Sequence, residues 1–312
     1  MKGVMLNHLD YWVEFGIFVI VLLAFDLLVF NKKSHEVKLK EALLWSAFWI
    51  GLGLAFGGVI YYIDGHELML QYYASYFVEK SLSMDNLFVF LMIFTYFKVP
   101  PEHQHRTLFW GIIGALVMRF VFIFLGVTLI TKFSWMFYIF GAALIYSAVK
   151  MITEKDKEIH PENNPIVKYA RKIMPISADF DGGKFITKID GKKFATPLFL
   201  VLLMIESSDL IFAIDSIPAV LAISKDTFVV YTSNIMAILG LRALYFAISS
   251  IMKYFKFLNY GLAFILAFVG VKMLVADFVH IPILLSLGVI ALSLIVSICA
   301  SLLIKDKPEA TI

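Results

Sequence analysis

The sequence predicts an all-α, polytopic membrane protein, and three observations carry that prediction. Of 312 residues, 61% are hydrophobic and only 16% are charged, a balance outside that of soluble domains, where about a quarter of residues are charged. The mean hydropathy is +0.85. Apolar runs recur along the whole chain, long enough to cross a hydrocarbon layer that needs roughly 20 helical residues.

Nine such runs can be marked, at residues 12–30, 42–63, 72–97, 107–130, 134–149, 197–223, 228–252, 259–276 and 281–304. The first carries no small-residue cleavage pattern after it and is expected to be a retained span. Lysine and arginine set the orientation. Twenty of the 27 fall on the side holding the C-terminus and the loops after spans 1, 3, 5 and 7, three fall on the other side, and four lie within spans. The N-terminus is therefore expected outside and the C-terminus in the cytoplasm. A single cysteine, Cys299, excludes an intrachain disulfide framework and a thiolate metal site. A net charge of +3 without basic runs interleaved with aromatics speaks against nucleic acid. Lipid is the expected surroundings.

The chain is expected to form one transporter domain, 1–312, interrupted by a cytoplasmic loop at 150–196. Within that loop, Lys184-Phe-Ile-Thr-Lys-Ile-Asp190-Gly191-Lys-Lys-Phe reads as a β-hairpin turning at Asp-Gly. The rest of the loop reads as solvated linker.

Two acidic clusters interrupt the apolar runs, Glu79-Lys-Ser-Leu-Ser-Met-Asp85-Asn86 and Glu206-Ser-Ser-Asp209-Leu-Ile-Phe-Ala-Ile-Asp215-Ser216. Ionisable groups at membrane depth are costly and mark function by default. Counted from Glu79 and from Asp209, both clusters follow one frame of acid, five residues, Asp, then a short polar residue. Arg119 in Ala-Leu-Val-Met-Arg likewise matches Arg242 in Ile-Leu-Gly-Leu-Arg, and Lys150 matches Lys272, so that three landmarks keep their order at offsets of 130, 123 and 122. Spans 3 to 5 and 6 to 8 thus form an expected 3+3 inverted repeat, an architecture that sets ion sites near the midplane.

The ligand types select the ion. Carboxylate, amide and hydroxyl oxygens suit Mn²⁺, Mg²⁺ and Ca²⁺, whereas zinc and copper favour imidazole and thiolate. All seven histidines fall in loops or at span ends. Candidate metal ligands are Glu79, Asp85, Asn86, Glu206, Asp209 and Asp215. Lys80, Arg119 and Arg242 are candidates for gating or charge balance, with pairing to the acids or snorkelling as the plain alternative. Asp26 reads as a helix-helix contact, Lys150 and Lys272 as interface anchors, and Met84 and Met204 as packing. On an unbroken helix Glu206 and Asp209 share a face, while Asp215 lies about 180° from Glu206. Either two subsites exist or a helix unwinds, and Pro218 favours unwinding in span 6.

The segments Glu79-Lys-Ser-Leu-Ser-Met-Asp85-Asn86-Leu-Phe-Val-Phe and Glu206-Ser-Ser-Asp209-Leu-Ile-Phe-Ala-Ile-Asp215-Ser-Ile-Pro218-Ala-Val resemble the TerC family, as do the length, the spans and the central loop. The resemblance implies a bacterial cytoplasmic-membrane transporter of the lysine-exporter superfamily that exports Mn²⁺, with Glu79, Asp85, Glu206, Asp209 and Asp215 at the site and Asn86 as an addition. Ca²⁺ and Mg²⁺ rank behind Mn²⁺. Export direction comes from the resemblance alone. Other classes are a membrane partner of secretion or insertion machinery and an amino-acid exporter. An enzyme is not expected, since no span carries the paired histidines of an intramembrane metalloprotease.

Overall fold

The computed structural model describes residues 9–30, 39–133, 135–153, 165–251, 257–279 and 281–303. Among these, helix dominates. In chain order the elements are α1 (Leu9–Phe30), α2 (Leu39–Asp64), α3 (His66–Tyr96), α4 (Pro101–Lys132), α5 (Met136–Thr153), α6 (Pro165–Ile173), β1 (Ile186–Ile189), β2 (Lys192–Ala195), α7 (Pro197–Leu221), α8 (Thr227–Ile238), α9 (Leu241–Ile251), α10 (Leu258–Leu274) and α11 (Ile283–Leu303). The chain divides into two units, the first holding α1 and the second holding α2 to α11.

Local chemistry sets several boundaries. Pro101 opens α4 and Pro197 opens α7, where a missing N–H costs nothing. Asp226 caps α8, accepting a hydrogen bond from the Val229 N–H at 2.9 Å. The hairpin turns at Asp190 and Gly191, both with positive φ, and β1 pairs antiparallel with β2, as a two-residue Asp-Gly turn dictates.

Among the described residues, α2, α4, α5, α7 and residues 283–301 of α11 are long and apolar enough to cross a membrane, and α8 with α9 makes a sixth candidate bent by 41°. This is an integral multi-pass architecture. It falls short of nine crossings by this measure, partly because α3 carries Glu67, Glu79, Lys80 and Asp85 along its 31 residues, and the apolar part of α10, Asn259–Leu274, is short.

Two sequence expectations about broken helices are corrected. α7 runs without a break through Pro218. That proline lies in the last turn, so the helix loses one bond just before ending at Leu221, and the Ala222 N–H closes back on the Pro218 carbonyl at 3.0 Å. The break falls instead in the run read as one span, 228–252. There Gly240 takes φ +82° between α8 and α9, and a Cβ on it would collide with the Trp49 side chain of α2.

Two apolar cores hold the second unit together. One joins Val78 and Leu82 of α3, Leu144 and Ala148 of α5 and Leu266 and Val269 of α10. The other joins Ile123 and Ile130 of α4 to Ile217 and Val220 of α7 and Val230 of α8. α5 and α10 form the most extensive helix pair. Their backbones approach through glycine, since a Cβ at Gly270 would lie 2.8 Å from the Gly141 carbonyl oxygen and one at Gly141 would lie 3.0 Å from that of Gly270. Small residues at such crossings let dispersion contacts replace the hydrophobic drive that lipid cannot supply.

Candidate cation site

Glu79 of α3, Arg119 of α4 and Asp209 of α7 meet in the interior of the second unit, all three buried. Arg119 is fully enclosed and binds both acids. Its Nη2 donates to Asp209 Oδ1 at 3.1 Å, and its Nε donates to Asp209 Oδ2 at 3.4 Å. Its Nη1 donates to Glu79 Oε1 and, at 3.1 Å, to Asn234 Oδ1 of α8. Asn86, two turns beyond Glu79 on α3, donates from Nδ2 to Asp209 Oδ1 at 3.4 Å. Four helices thus converge on one guanidinium, whose planar fork suits two carboxylates at once.

The cluster leaves oxygen unsatisfied. Glu79 Oε2, Asn86 Oδ1 and Ser216 Oγ are buried and make no hydrogen bond of ordinary geometry among the described residues, as is the case for Asn234 Nδ2, although Ser216 lies near enough to the Glu79 carboxylate to interact with it. Buried polar atoms ordinarily find partners, and each that does not costs about 1–3 kcal/mol. Two carboxylates against one guanidinium leave one negative charge. Oxygen donors of three kinds with residual negative charge match a hard cation better than an anion or a soft metal. Among the described residues, no three acidic, histidine or cysteine side chains are grouped closely enough to hold a metal by themselves, so amide and hydroxyl oxygens would have to complete any coordination shell.

The remaining sequence candidates divide. Glu206, half-buried on α7 and one turn before Asp209, packs its carboxylate against Gly114 of α4. Asp215 lies elsewhere, accepting a hydrogen bond from Ser147 of α5 at 2.6 Å. Their separation follows from the unbroken α7, which turns the two acids to opposite sides. The Asp85 side chain lies outside the described residues. Lys80 is buried beside Glu79 in sequence but points another way, its Nζ donating to the Ala237 carbonyl at 2.9 Å. An unbroken helix would give that carbonyl to the N–H of Leu241; the break at Gly240 releases it. Arg242 is buried at the start of α9 with its guanidinium 5.9 Å from the centre of the Phe109 ring, within cation–π range.

Sequence reading missed Asn234 and Ser147. Asn234 ends a short polar run, Thr-Ser-Asn234-Ile-Met, and Ser147 follows a tyrosine in Ile-Tyr-Ser147-Ala-Val, and neither belongs to the acid-centred frame that the two clusters share. An amide inside a span was the one available cue for Asn234.

A model of the integral membrane protein TerC family matches residues 64–309. The chain belongs to the TerC family. Among TerC relatives, an uncharacterized membrane protein of Myxococcus xanthus is 48% identical over 300 residues, covering 96% of this chain and 94% of its own. A Salmonella typhi protein named "Putative membrane-bound redox modulator Alx" is 44% identical over 288 residues, 89% of each chain. A membrane protein of Rickettsia bellii is 41% identical over 295 residues, 95% of this chain and 98% of its own. No solved structure matches this TerC chain.

Proposed function

We propose that this TerC chain exports a hard divalent cation, Mn²⁺ before Ca²⁺ or Mg²⁺, from the bacterial cytoplasm through the cluster of Glu79, Asn86, Arg119 and Asp209. The observation that carries the proposal is the set of buried, incompletely satisfied oxygens around an arginine-bridged pair of carboxylates. Arg119 is the counter-ion of the acids until a cation takes over that task. Nine crossings with a 3+3 inverted repeat, N-terminus outside and C-terminus inside, would let two halves rock about the cluster in alternating access. Glu206, one turn before Asp209 on α7, would extend this station, and Asp215 beside Ser147 would form a separate one. Since metal ligands must be deprotonated, protons compete with the cation at these carboxylates, and a proton gradient can drive exchange.

Redox modulation, the term in the relatives' name, has little thiol chemistry to work with here, because one cysteine cannot form an intrachain disulfide. The deciding experiment is Mn²⁺ efflux from loaded proteoliposomes carrying the full chain, compared with Glu79→Gln and Asp209→Asn at equal protein content. Efflux from the intact chain with at least a ten-fold loss in both variants is expected. Undiminished efflux in both variants would remove the site assignment. No Mn²⁺ efflux from the intact chain, with efflux of a basic amino acid instead, would replace the substrate.

A further inference from the structure

The segment between α5 and α7 is a built platform. The segment leaving α6 pairs in parallel with the end of β2, the Ala195 N–H bonded to the Pro175 carbonyl at 2.9 Å and the Ser177 N–H to the Ala195 carbonyl at 2.8 Å. The Thr196 hydroxyl donates to the Lys184 carbonyl at 2.6 Å, and α7 begins at the next residue. On the α4 side, the Arg106 guanidinium lies 5.5 Å from the Phe185 ring centre, and His103 packs against Gly183. The platform therefore rests on the adjoining ends of α4 and α7, two helices of membrane-crossing length. Helices of that length end at about the depth of lipid headgroups.

Its outer surface is unusual for a face meeting only water. α6 buries Val167 inward, while Ile166, Tyr169 and Ile173 fall within roughly 60° of one another on the far side, exposed by 37%, 67% and 64%. In the hairpin Ile186 is also exposed, on the same face of β1 as Lys188, while exposed Ile189 points to the opposite face. On α6, Lys172 borders this apolar stripe about 60° from Tyr169, and Lys168 and Arg171 lie farther round the polar side, from where long side chains can reach. Residues 165–196 hold seven lysines and arginines against three aspartates, and one of those, Asp181, is already engaged by Lys184 at 3.1 Å. Lys188 of β1 stands directly opposite Lys193 of β2, a cross-strand like-charge pair that is unfavourable in isolation and favourable against a sheet of anions.

We infer that α6 and the hairpin bind the anionic phospholipid headgroups of the bilayer that holds the chain, with Lys168, Arg171, Lys172, Lys188 and Lys193 meeting phosphates and Tyr169 and Ile173 entering the interface. An apolar stripe flanked by lysine and arginine is the general pattern of interfacial helices. Phospholipid answers both halves of it at the depth where the platform lies. The inference stands apart from the cation proposal, since none of its residues touches the Glu79 cluster.

The test uses the full chain in nanodiscs made either of phosphatidylcholine alone or with phosphatidylglycerol, followed by hydrogen exchange across residues 165–196. Exchange is expected to slow in the anionic discs and to recover in high salt. Each basic residue near an anionic surface contributes roughly a five-fold factor in binding, so Lys168→Gln with Arg171→Gln and Lys172→Gln should weaken the protection by on the order of 100-fold. The variant Lys168→Arg with Arg171→Lys and Lys172→Arg should keep it, separating charge from folding. Equal exchange in both kinds of disc would overturn the inference. So would protection that appears in neither disc and arises only on adding a soluble polyglutamate, which would assign the surface to an acidic protein.

Discussion

The Arg119 Nη2 atom lies 3.1 Å from Asp209 Oδ1 inside the helix bundle, with the same guanidinium bound to Glu79. Two acids from helices far apart in sequence are thereby held by one cation of the chain itself. Removing only that cation leaves two carboxylates facing each other without water. Arg119→Gln is expected to destabilise the protein by about 3–5 kcal/mol, read as a lowered thermal unfolding midpoint in detergent. Combining it with Glu79→Gln and Asp209→Asn should recover most of that loss, because the uncompensated charge goes too. A triple variant no more stable than Arg119→Gln would contradict the charge argument.

Lys80 and the α8–α9 break form a second testable unit. Lys80→Met removes the donor to the Ala237 carbonyl and leaves a buried acceptor without its partner, at about 1–3 kcal/mol. Gly240→Ala forces φ +82° on a residue with a Cβ aimed at Trp49, at a further cost on the order of 1–3 kcal/mol. Both changes should accelerate hydrogen exchange at 227–251 more than across α4. Uniform acceleration over the whole chain would mean the break is not a local element.

Asp215 and Ser147 can be separated from the Arg119 cluster by a double-mutant cycle on efflux. Ser147→Ala and Asp215→Asn share one hydrogen bond of 2.6 Å, so their effects should be non-additive by about 1 kcal/mol. Ser147→Ala and Asp209→Asn should add. Additivity in both pairs would show that the Ser147 contact does not bear on transport.

Outside the membrane, the hairpin has its own pH dependence. The Thr187 hydroxyl foremost, and then the Lys184 ammonium, hold the Asp181 carboxyl below its ordinary value of 3.8. A depressed carboxylate stabilises the fold above its unfolded value, and the contribution disappears as pH falls through the folded one. Protection of residues 184–196, expressed relative to the intrinsic exchange rate at each pH, should therefore be high at pH 6 and decline as pH drops below 3.8, and Asp181→Asn should flatten that change. An unaltered profile in the variant would place the acid sensitivity elsewhere.

Much of this was legible in the sequence for identifiable reasons. Carboxylates at membrane depth are so expensive that Glu79 and Asp209 stand out at once, and Asp190-Gly191 announces a turn because few other residues accept two positive φ angles in succession. The weaker signs were single residues whose meaning depends on neighbours. Gly240 in an apolar run looks like any packing glycine until Trp49 is seen against it. Pro218 looks like a helix breaker until its place in the last turn of α7 is known. Asn234 and Ser147 acquire roles only from Arg119 and Asp215, which reach them across other helices. Periodicity reports faces, and partners come from packing.

The close glycine contact between α5 and α10 has a mechanical consequence. With carbonyl oxygens only 2.8–3.0 Å from where side-chain atoms would begin, any residue larger than glycine at 141 or 270 would force the two helices apart. The tolerance of this crossing for substitution is therefore nil at two positions, one on each helix. Gly240, with φ +82° between α8 and α9, stands in contrast as a place where the backbone itself bends.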